Sequence, residues 1–132
     1  MKYNLDCARD VLFFLEEKLT ISPDLEICCL DYQDIAAHLD NYEISEIVNT
    51  LLVLTEAGFI DANTFYAENC IDELLVSRIT YEGYQFIESI RPETVWNKIK
   101  SIGSKVGSLS TNAISQIALG TVTALINAQL SL

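Results

Sequence analysis

Apolar residues recur near the start of the chain at the spacing of an amphipathic helix. The repeating positions, separated by three or four residues, are Leu5, Ala8, Leu12, Leu15 and Leu19. Such steps place side chains on one face of a helix, and Asn4 is a residue type that favours the N-cap. The pattern predicts a first helix that starts after Asn4 and buries this face.

Two further helices and a strand are predicted before residue 60. Residues 25–30 are short, apolar and β-prone, so a strand is expected there. A short helix is expected over residues 32–39 with Asp31 as its cap, and a longer one over residues 44–57. Gly58 suits the left-handed position that follows a helix. The longer helix has a broad apolar face made of Ile44, Ile47, Val48, Leu51, Leu52 and Leu54.

Two more strands are predicted at residues 59–62 and 74–79, on either side of an acidic loop. The order helix, strand, helix, helix, strand, loop, strand is that of a winged helix-turn-helix domain. In such a domain the third helix is the recognition helix and the loop is the wing. We therefore predict a mainly α, α+β fold: a winged helix-turn-helix-like domain with a small sheet and wing, followed by C-terminal helices.

The C-terminal part of the chain is predicted to be helical. Thr80 can cap a helix whose apolar side includes Gly83, Phe86, Ile87 and Ile90. Pro92 suits the first turn of the next helix, and the cluster at residues 103–110 predicts a bend. We expect a winged-helix-like domain over residues 1–91 and a helical extension over residues 92–132. Trp96 is expected to be a core anchor between them, the alternative being an exposed ligand-binding aromatic.

The segment "ITYEGYQFIESIRPETVWNKIKSIGSKVGSLS" carries a family resemblance. Its matching features are Thr80-x-x-Gly83-x-x-Phe86-Ile87, Ile90-Arg91 and Val95-Trp96-x-Lys98, and "NLDCARDVLFFLEE" and "AGFI" match elsewhere. The chain resembles the bacterial domain-of-unknown-function family 2513, which is common in phages and prophages of Gram-positive bacteria. The resemblance implies a winged-helix-like fold and phage association, but no activity. Tyr84 stands where such proteins often have histidine.

Acidic charge is concentrated in the first part of the chain. Residues 1–75 hold 3 basic and 16 acidic side chains, whereas residues 76–132 hold 5 and 3, and the net charge is −11. The predicted recognition helix has no Lys or Arg, and neither does the predicted wing at residues 61–73. We expect this acidic face to bind a protein partner through Glu43, Glu46, Asn49, Asp61, Glu68 and Asp72.

DNA binding is the alternative that the predicted fold invites. A DNA reader offers Arg, Lys, Asn or Gln to base edges and several cations to phosphates, and phosphate contacts supply nearly all non-specific affinity. The acidic helix and wing oppose this. A regulator that binds DNA through the basic stripe of Arg91, Lys98 and Lys105, spaced by seven residues, stays open as the second hypothesis.

Neither catalysis nor a bound metal is indicated by the sequence. The chain has a single histidine, His38, and no C-x-x-C spacing among its 4 cysteines, so a zinc site lacks both ligands and spacing. No serine or cysteine lies in a nucleophile motif, and we expect no enzyme activity and no cofactor. The cysteines are expected to be reduced and to serve as small hydrophobes. Asp6, Arg9 and Asp10 interrupt any leader-like apolar run, which predicts a cytoplasmic protein.

The last 27 residues are uncharged. As a helix, residues 109–130 would be apolar on two sides, whereas a helix that lies on a single surface needs only one apolar stripe. The segment is too mixed with polar residues to span a membrane, so self-association is expected to cover it. The residues expected at this interface are Ala113, Ile114, Ile117, Gly120, Ala124, Leu125 and Ala128.

The leading hypothesis is thus a non-catalytic, self-associating interaction protein of phage type. Its acidic face would meet a protein partner, and the family context suggests a host regulatory or defence protein. No membrane partner is expected.

Overall fold

The computed structural model describes the backbone of residues 2–106 and the side chains of residues 2–102. The chain divides into two compact units with the boundary between Tyr84 and Gln85. Within the described range the fold is α+β, with helices and two small antiparallel sheets. The helices are α1 Leu5–Lys18, α2 Tyr32–His38, α3 Ile44–Glu56, α4 Tyr81–Ile90 and α5 Glu93–Val106. The strands are β1 Thr20–Ile21, β2 Ile27–Cys28, β3 Leu30–Asp31, β4 Ile60–Ala67 and β5 Cys70–Ile79.

Helix α1 begins where its sequence predicts. The Asn4 side chain accepts a 3.2 Å hydrogen bond from the backbone amide of Cys7, which satisfies one of the free donors of the first turn. The face turned to the core consists of Cys7, Ala8, Val11, Leu12 and Leu15. The predicted cap is therefore confirmed, and so are the middle positions of the predicted stripe, Ala8, Leu12 and Leu15. Leu5 is half-buried, and Leu19 is half-buried and follows the last residue of the helix.

Helices α2 and α3 follow α1 and precede the strands β4 and β5. Asp31 caps α2 by accepting from the amide of Gln33 at 2.9 Å, and α3 packs against both α1 and α2. Their fully buried residues are Ile35, Ile47, Thr50, Leu51 and Leu54. The expectation that Ile44 is buried is wrong: its side chain is 57% exposed, because it starts the helix, outside the turns that pack.

The single strand predicted at residues 25–30 is also wrong. Leu25 has a φ of 67°, which is a left-handed conformation and not a strand one. The remaining residues divide between two short strands: β2 pairs with β1, while β3 pairs with β5. The segment therefore contributes to two separate sheets, and its first part faces solvent.

Strands β4 and β5 form one long antiparallel hairpin. An acidic loop was predicted at residues 63–73, but most of these residues belong to the two strands. Its turn consists of Glu68 and Asn69, with φ values of 50° and 68°, the left-handed pair that a tight two-residue hairpin needs. The three-stranded sheet has the order β3-β5-β4. The loop prediction failed because polar residues occupy the solvent face of β4.

The turn from α3 into β4 is made by Gly58, whose φ of 81° confirms the predicted left-handed position. Thr80 caps α4 by accepting from the amide of Gly83 at 3.1 Å, as predicted. The predicted apolar side of α4, which consists of Gly83, Phe86, Ile87 and Ile90, is buried.

Helix α5 belongs to the second unit. The Pro92 carbonyl accepts from the amide of Trp96 at 3.1 Å, so Pro92 precedes the helix and does not lie in its first turn. Val95, Trp96 and Ile99 are buried, which fits a core position for the tryptophan. The backbone stays helical through residue 106, so the bend predicted from residue 103 does not begin there. The predicted terminal helix at residues 109–130 lies outside the described residues.

Candidate partner-binding surface

The N-terminal part of α3 carries half of the predicted acidic face. Glu43 is exposed at the N-cap position, where its side chain makes no capping hydrogen bond. Glu46, in the first turn, is half-buried and accepts a 3.3 Å hydrogen bond from the Asn4 side chain of α1. An acidic residue there also favours the helix, since the N-terminus of a helix is its positive end. Asn49 is half-buried, so Glu43 is the member most available to a partner.

The rest of α3 has few side chains of the types that contact DNA bases. Its exposed residues are Ile44, Ser45 and Glu56. Val48, Leu52 and Val53 are half-buried and add apolar surface between them. A helix that reads base edges presents Arg, Lys, Asn or Gln. Of these types α3 has only the half-buried Asn49, and the rest of its surface is mostly aliphatic and acidic.

The β4–β5 hairpin carries the other half of the face. Strand register places Asp61 opposite Arg78, and their side chains form an ion pair of 3.2 Å. Because both side chains are mostly exposed, the pair adds little stability, but it neutralises one carboxylate of the predicted face. The sequence pattern does not indicate this pairing, because Arg78 lies outside the predicted wing.

The turn end of the hairpin holds two exposed acids of the predicted face. Glu68 is in the turn itself, and Asp72 is the extra residue of a bulge, because Phe65 pairs with Glu73 and Tyr66 with Ile71. The side chains of Phe65 and Tyr66 are 49% and 69% exposed. Aromatic side chains are enriched where proteins bind one another. Glu43, Glu68 and Asp72, which we call the acidic set, are therefore the members of the predicted face that are exposed and have no ion pair described.

The predicted basic stripe is partly engaged within the chain. Arg91 follows α4 and donates from Nη2 to Glu88 at 2.7 Å. This hydrogen bond and the charge of Arg91 lower the pKa of the Glu88 carboxyl. Lys98 is exposed on α5, and Lys105 falls within α5 although its side chain is outside the described ones. The stripe therefore offers a phosphate fewer free cations than the sequence suggests.

The buried thiol of Cys7 lies between α1 and α3. Burial, and to a lesser degree the charges of Glu46 and Asp10, raise its pKa, while a contact with the Thr50 hydroxyl opposes the rise. A nucleophilic cysteine needs the opposite environment, one that stabilises the thiolate. Cys7 acts as a small core residue. The expectation that all cysteines serve as hydrophobes is wrong for the other three, Cys28, Cys29 and Cys70, which are exposed.

His38 takes part in local contacts at the end of α2. Its Nδ1 lies 2.9 Å from the backbone carbonyl oxygen of Asp34, and its ring centre is 5.1 Å from that of Phe14. Through residue 102, no group of three or more His, Cys, Asp or Glu side chains is arranged to hold a metal ion. None of the helices described is long and apolar enough to cross a membrane.

Comparison with known proteins identifies the family to which the chain belongs. The model of the family described as "Hypothetical protein (DUF2513)" matches residues 2–110. The chain belongs to the DUF2513 family. An uncharacterized protein of Haemophilus influenzae is 30% identical over 123 residues, covering 89% of this chain and 92% of the relative. No solved structure matches the chain.

The extent of the DUF2513 match separates two groups of predicted residues. The match covers every element from α1 to α5 and hence both the acidic set and the basic stripe. The residues predicted to mediate self-association begin at Ala113, beyond the end of the match and outside the described residues. They consist of Ala113, Ile114, Ile117, Gly120, Ala124, Leu125 and Ala128.

Proposed function

We propose that this DUF2513 protein is a cytoplasmic, non-catalytic interaction module on a winged-helix-like scaffold, and that its acidic set binds another protein. Two features support the scaffold. The first is the order α1, β3, α2, α3, β4, β5, in which the hairpin follows the third helix. The second is the sheet order β3-β5-β4, in which the strand between the first two helices joins the last strand of the hairpin.

The observation that carries the proposal is the chemistry of α3 and the hairpin that follows it. On a winged-helix protein that binds DNA these elements approach the duplex, yet from α3 through β4 there is no Lys or Arg. Two unit charges about 4 Å apart interact with roughly 4 kcal/mol at an effective dielectric near 20. The acidic set facing a phosphate backbone would therefore be repelled, whereas basic side chains of a protein would be attracted.

The class of partner follows from the same charges. A complementary surface carries Lys or Arg together with apolar side chains, which can contact the exposed Ile44 of α3 and Phe65 of β4. Charge complementarity of this kind raises association rates and selects among partners. The resemblance to phage and prophage proteins adds the proposal that the partner is a host regulatory or defence protein.

Self-association is the second part of the proposal and rests on the sequence of residues 109–130. Light scattering on the full chain is expected to give a dimer or larger species. In a helix over these residues Gly120, Ala124 and Ala128 lie on one side and would let a second backbone approach closely. Ala124→Leu, which puts a large side chain among them, is expected to yield monomer, while the near-isosteric Thr123→Val leaves the assembly intact. A full chain that remains monomeric at high concentration contradicts this part alone.

Binding to duplex DNA distinguishes the proposal from the regulator hypothesis. Fluorescence anisotropy with a labelled duplex at low salt is expected to show no binding. A DNA-binding protein would show affinity that falls steeply with salt, with non-specific dissociation constants of roughly 10⁻⁴–10⁻⁶ M at physiological salt. Such binding, weakened by Lys98→Glu, would favour the regulator and contradict the proposal.

A further inference from the structure

The β1–β2 hairpin is a small structure separate from the main sheet. Thr20 pairs with Cys28 and Ile21 with Ile27. The connecting loop is tightly bonded, since the Ser22 carbonyl accepts from the amide of Leu25 at 2.8 Å and the Ser22 amide donates to the carbonyl of Glu26 at 2.8 Å. Two paired residues per strand are too few to hold a hairpin by themselves. The loop bonds therefore fix its shape.

This hairpin exposes large aliphatic side chains. Leu25 is 83% exposed, Ile21 67% and Ile27 55%. Ile21 and Ile27 are cross-strand partners, so their side chains lie on the same face. Single exposed aliphatic residues are ordinary on protein surfaces, but several within one short segment mark a contact site.

Leu25 adds an independent observation, because its backbone is in a disfavoured conformation. Its φ is 67°, at the loop position where a turn is followed by a left-handed residue and glycine is usual. Leucine tolerates this region poorly. A glycine would relieve the backbone and lose only an exposed side chain. Backbone strain that folding does not require is found where a side chain is held for binding.

Acidic side chains border the aliphatic ones. Asp24 and Glu26 flank Leu25 and are exposed, and there is no Lys or Arg between Lys18 and Arg78. In a symmetric contact with a second copy the same acids would face each other. An anionic bilayer would be repelled for the same reason. The charges favour an occupant that is itself basic.

We propose that residues 20–28 form a second docking surface, which binds a protein segment that presents aliphatic side chains flanked by Lys or Arg. Leu25 inserts into the partner, Ile21 and Ile27 widen the apolar contact, and Asp24 and Glu26 pair with the flanking cations. The surface lies on elements other than those of the acidic set, so it stands or falls independently of the proposed function.

The test uses the full chain and a fluorescent amphipathic peptide built of Leu and Lys. Leu25→Gly is expected to weaken binding about fivefold or more, since an exposed leucine becomes buried in the complex. Its thermal midpoint is expected to stay equal or rise, because glycine accepts the positive φ. A purely structural Leu25 would instead lower the midpoint. Ile21→Thr combined with Ile27→Thr is expected to weaken binding likewise, and it serves as the second variant if Leu25→Gly disturbs the fold.

Two controls decide whether the effect belongs to the hairpin. Tyr84→Gln changes a large, 49% exposed side chain on α4, outside both proposed surfaces, and is expected to leave peptide binding unchanged. A peptide with Ser in place of Leu is expected to bind more weakly and without sensitivity to Leu25→Gly. Equal binding of wild type and Leu25→Gly would overturn the proposal. So would self-association that Leu25→Gly abolishes, or a tighter association with vesicles of phosphatidylcholine and phosphatidylglycerol than with the peptide.

Discussion

The Thr80 hydroxyl donates a hydrogen bond of 2.5 Å to the carbonyl oxygen of Gly58. It also accepts from the amide of Gly83, and the Thr80 amide donates to the carbonyl oxygen of Phe59 at 3.0 Å. A single side chain thus caps α4 and fixes the turn between α3 and β4. These contacts set the direction in which the β4–β5 hairpin leaves α3.

Removal of the Thr80 hydroxyl is expected to destabilise the protein. Thr80→Ala leaves one carbonyl and one helix-terminal amide without this partner, and the free energy of unfolding is expected to fall by about 1–2 kcal/mol. Thr80→Ser keeps the hydroxyl, and its free energy of unfolding is expected to fall by less than half as much as that of Thr80→Ala. Urea unfolding followed by circular dichroism measures both, and equal losses for the two variants would argue against the hydrogen bonds as the cause.

The two glycines next to Thr80 are expected to respond differently to alanine. A Cβ at Gly83 would collide with the backbone carbonyl oxygen of Phe59 and lie 2.8 Å from Cγ2 of Ile79. Gly83→Ala is therefore expected to cost about 3 kcal/mol. At Gly58 a Cβ meets nothing within 4 Å, so Gly58→Ala is expected to cost only the penalty of a side chain at positive φ, about 1 kcal/mol. Urea unfolding measures both variants, and a larger loss of unfolding free energy for Gly58→Ala than for Gly83→Ala would contradict this packing.

The Tyr42 hydroxyl donates a 2.6 Å hydrogen bond to the Asp10 carboxylate of α1. Burial, then this hydrogen bond and the carboxylate charge, raise the pKa of Tyr42 above its usual value. The unfolded tyrosine loses its proton near pH 10 while the folded one keeps it. The contribution of this group to stability is therefore complete below about pH 10 and is lost as the pH rises further.

Tyr42→Phe is expected to lower the free energy of unfolding by about 1 kcal/mol at neutral pH. Its unfolding free energy is expected to fall less steeply than that of the wild type above pH 10. Tyr66→Phe, at an exposed position, is the matched control and is expected to follow the wild type. If the free energy of unfolding fell equally steeply above pH 10 for Tyr42→Phe and the wild type, the contact with Asp10 would not be the cause of the alkaline loss of stability.

The four cysteines are expected to divide into two classes. Cys28, Cys29 and Cys70 are exposed, whereas Cys7 is fully buried with a raised pKa. Titration of the reduced protein with a thiol-reactive chromophore is expected to label three cysteines quickly and Cys7 only on unfolding. Cys7→Ala is expected to remove only the labelling that requires unfolding and to leave the three fast reactions unchanged. Rapid labelling of a fourth thiol would contradict the burial of Cys7.

Sequence pattern was sufficient where local chemistry decides the structure. Asn4, Asp31 and Thr80 cap their helices because their side chains bond to amides two or three residues away, which is a local interaction. Gly58 takes its left-handed position for an equally local reason. The α+β class followed from these elements and their order.

Features that depend on contacts distant in sequence were not predictable in the same way. Asp61 meets Arg78 only because the β4–β5 register brings them together, and no local pattern distinguishes that arginine from a solvated one. The apolar run at residues 25–30 predicted a single strand, but Leu25 has a left-handed backbone and the run divides between two sheets. The partial engagement of Glu46 by Asn4 depends on how α1 packs against α3.

The most direct test of the account is affinity capture from host cells with the full chain and two triple variants of equal charge change. Glu43→Gln, Glu68→Gln and Asp72→Asn together neutralise the acidic set, whereas Asp34→Asn, Asp40→Asn and Glu82→Gln neutralise three exposed acids elsewhere. We expect one protein partner, free of nucleic acid, to be retained by the wild type and the second variant, to be lost from the first, and to be released as salt is raised. Equal retention by both variants, or recovery of nucleic acid in place of protein, would contradict the account.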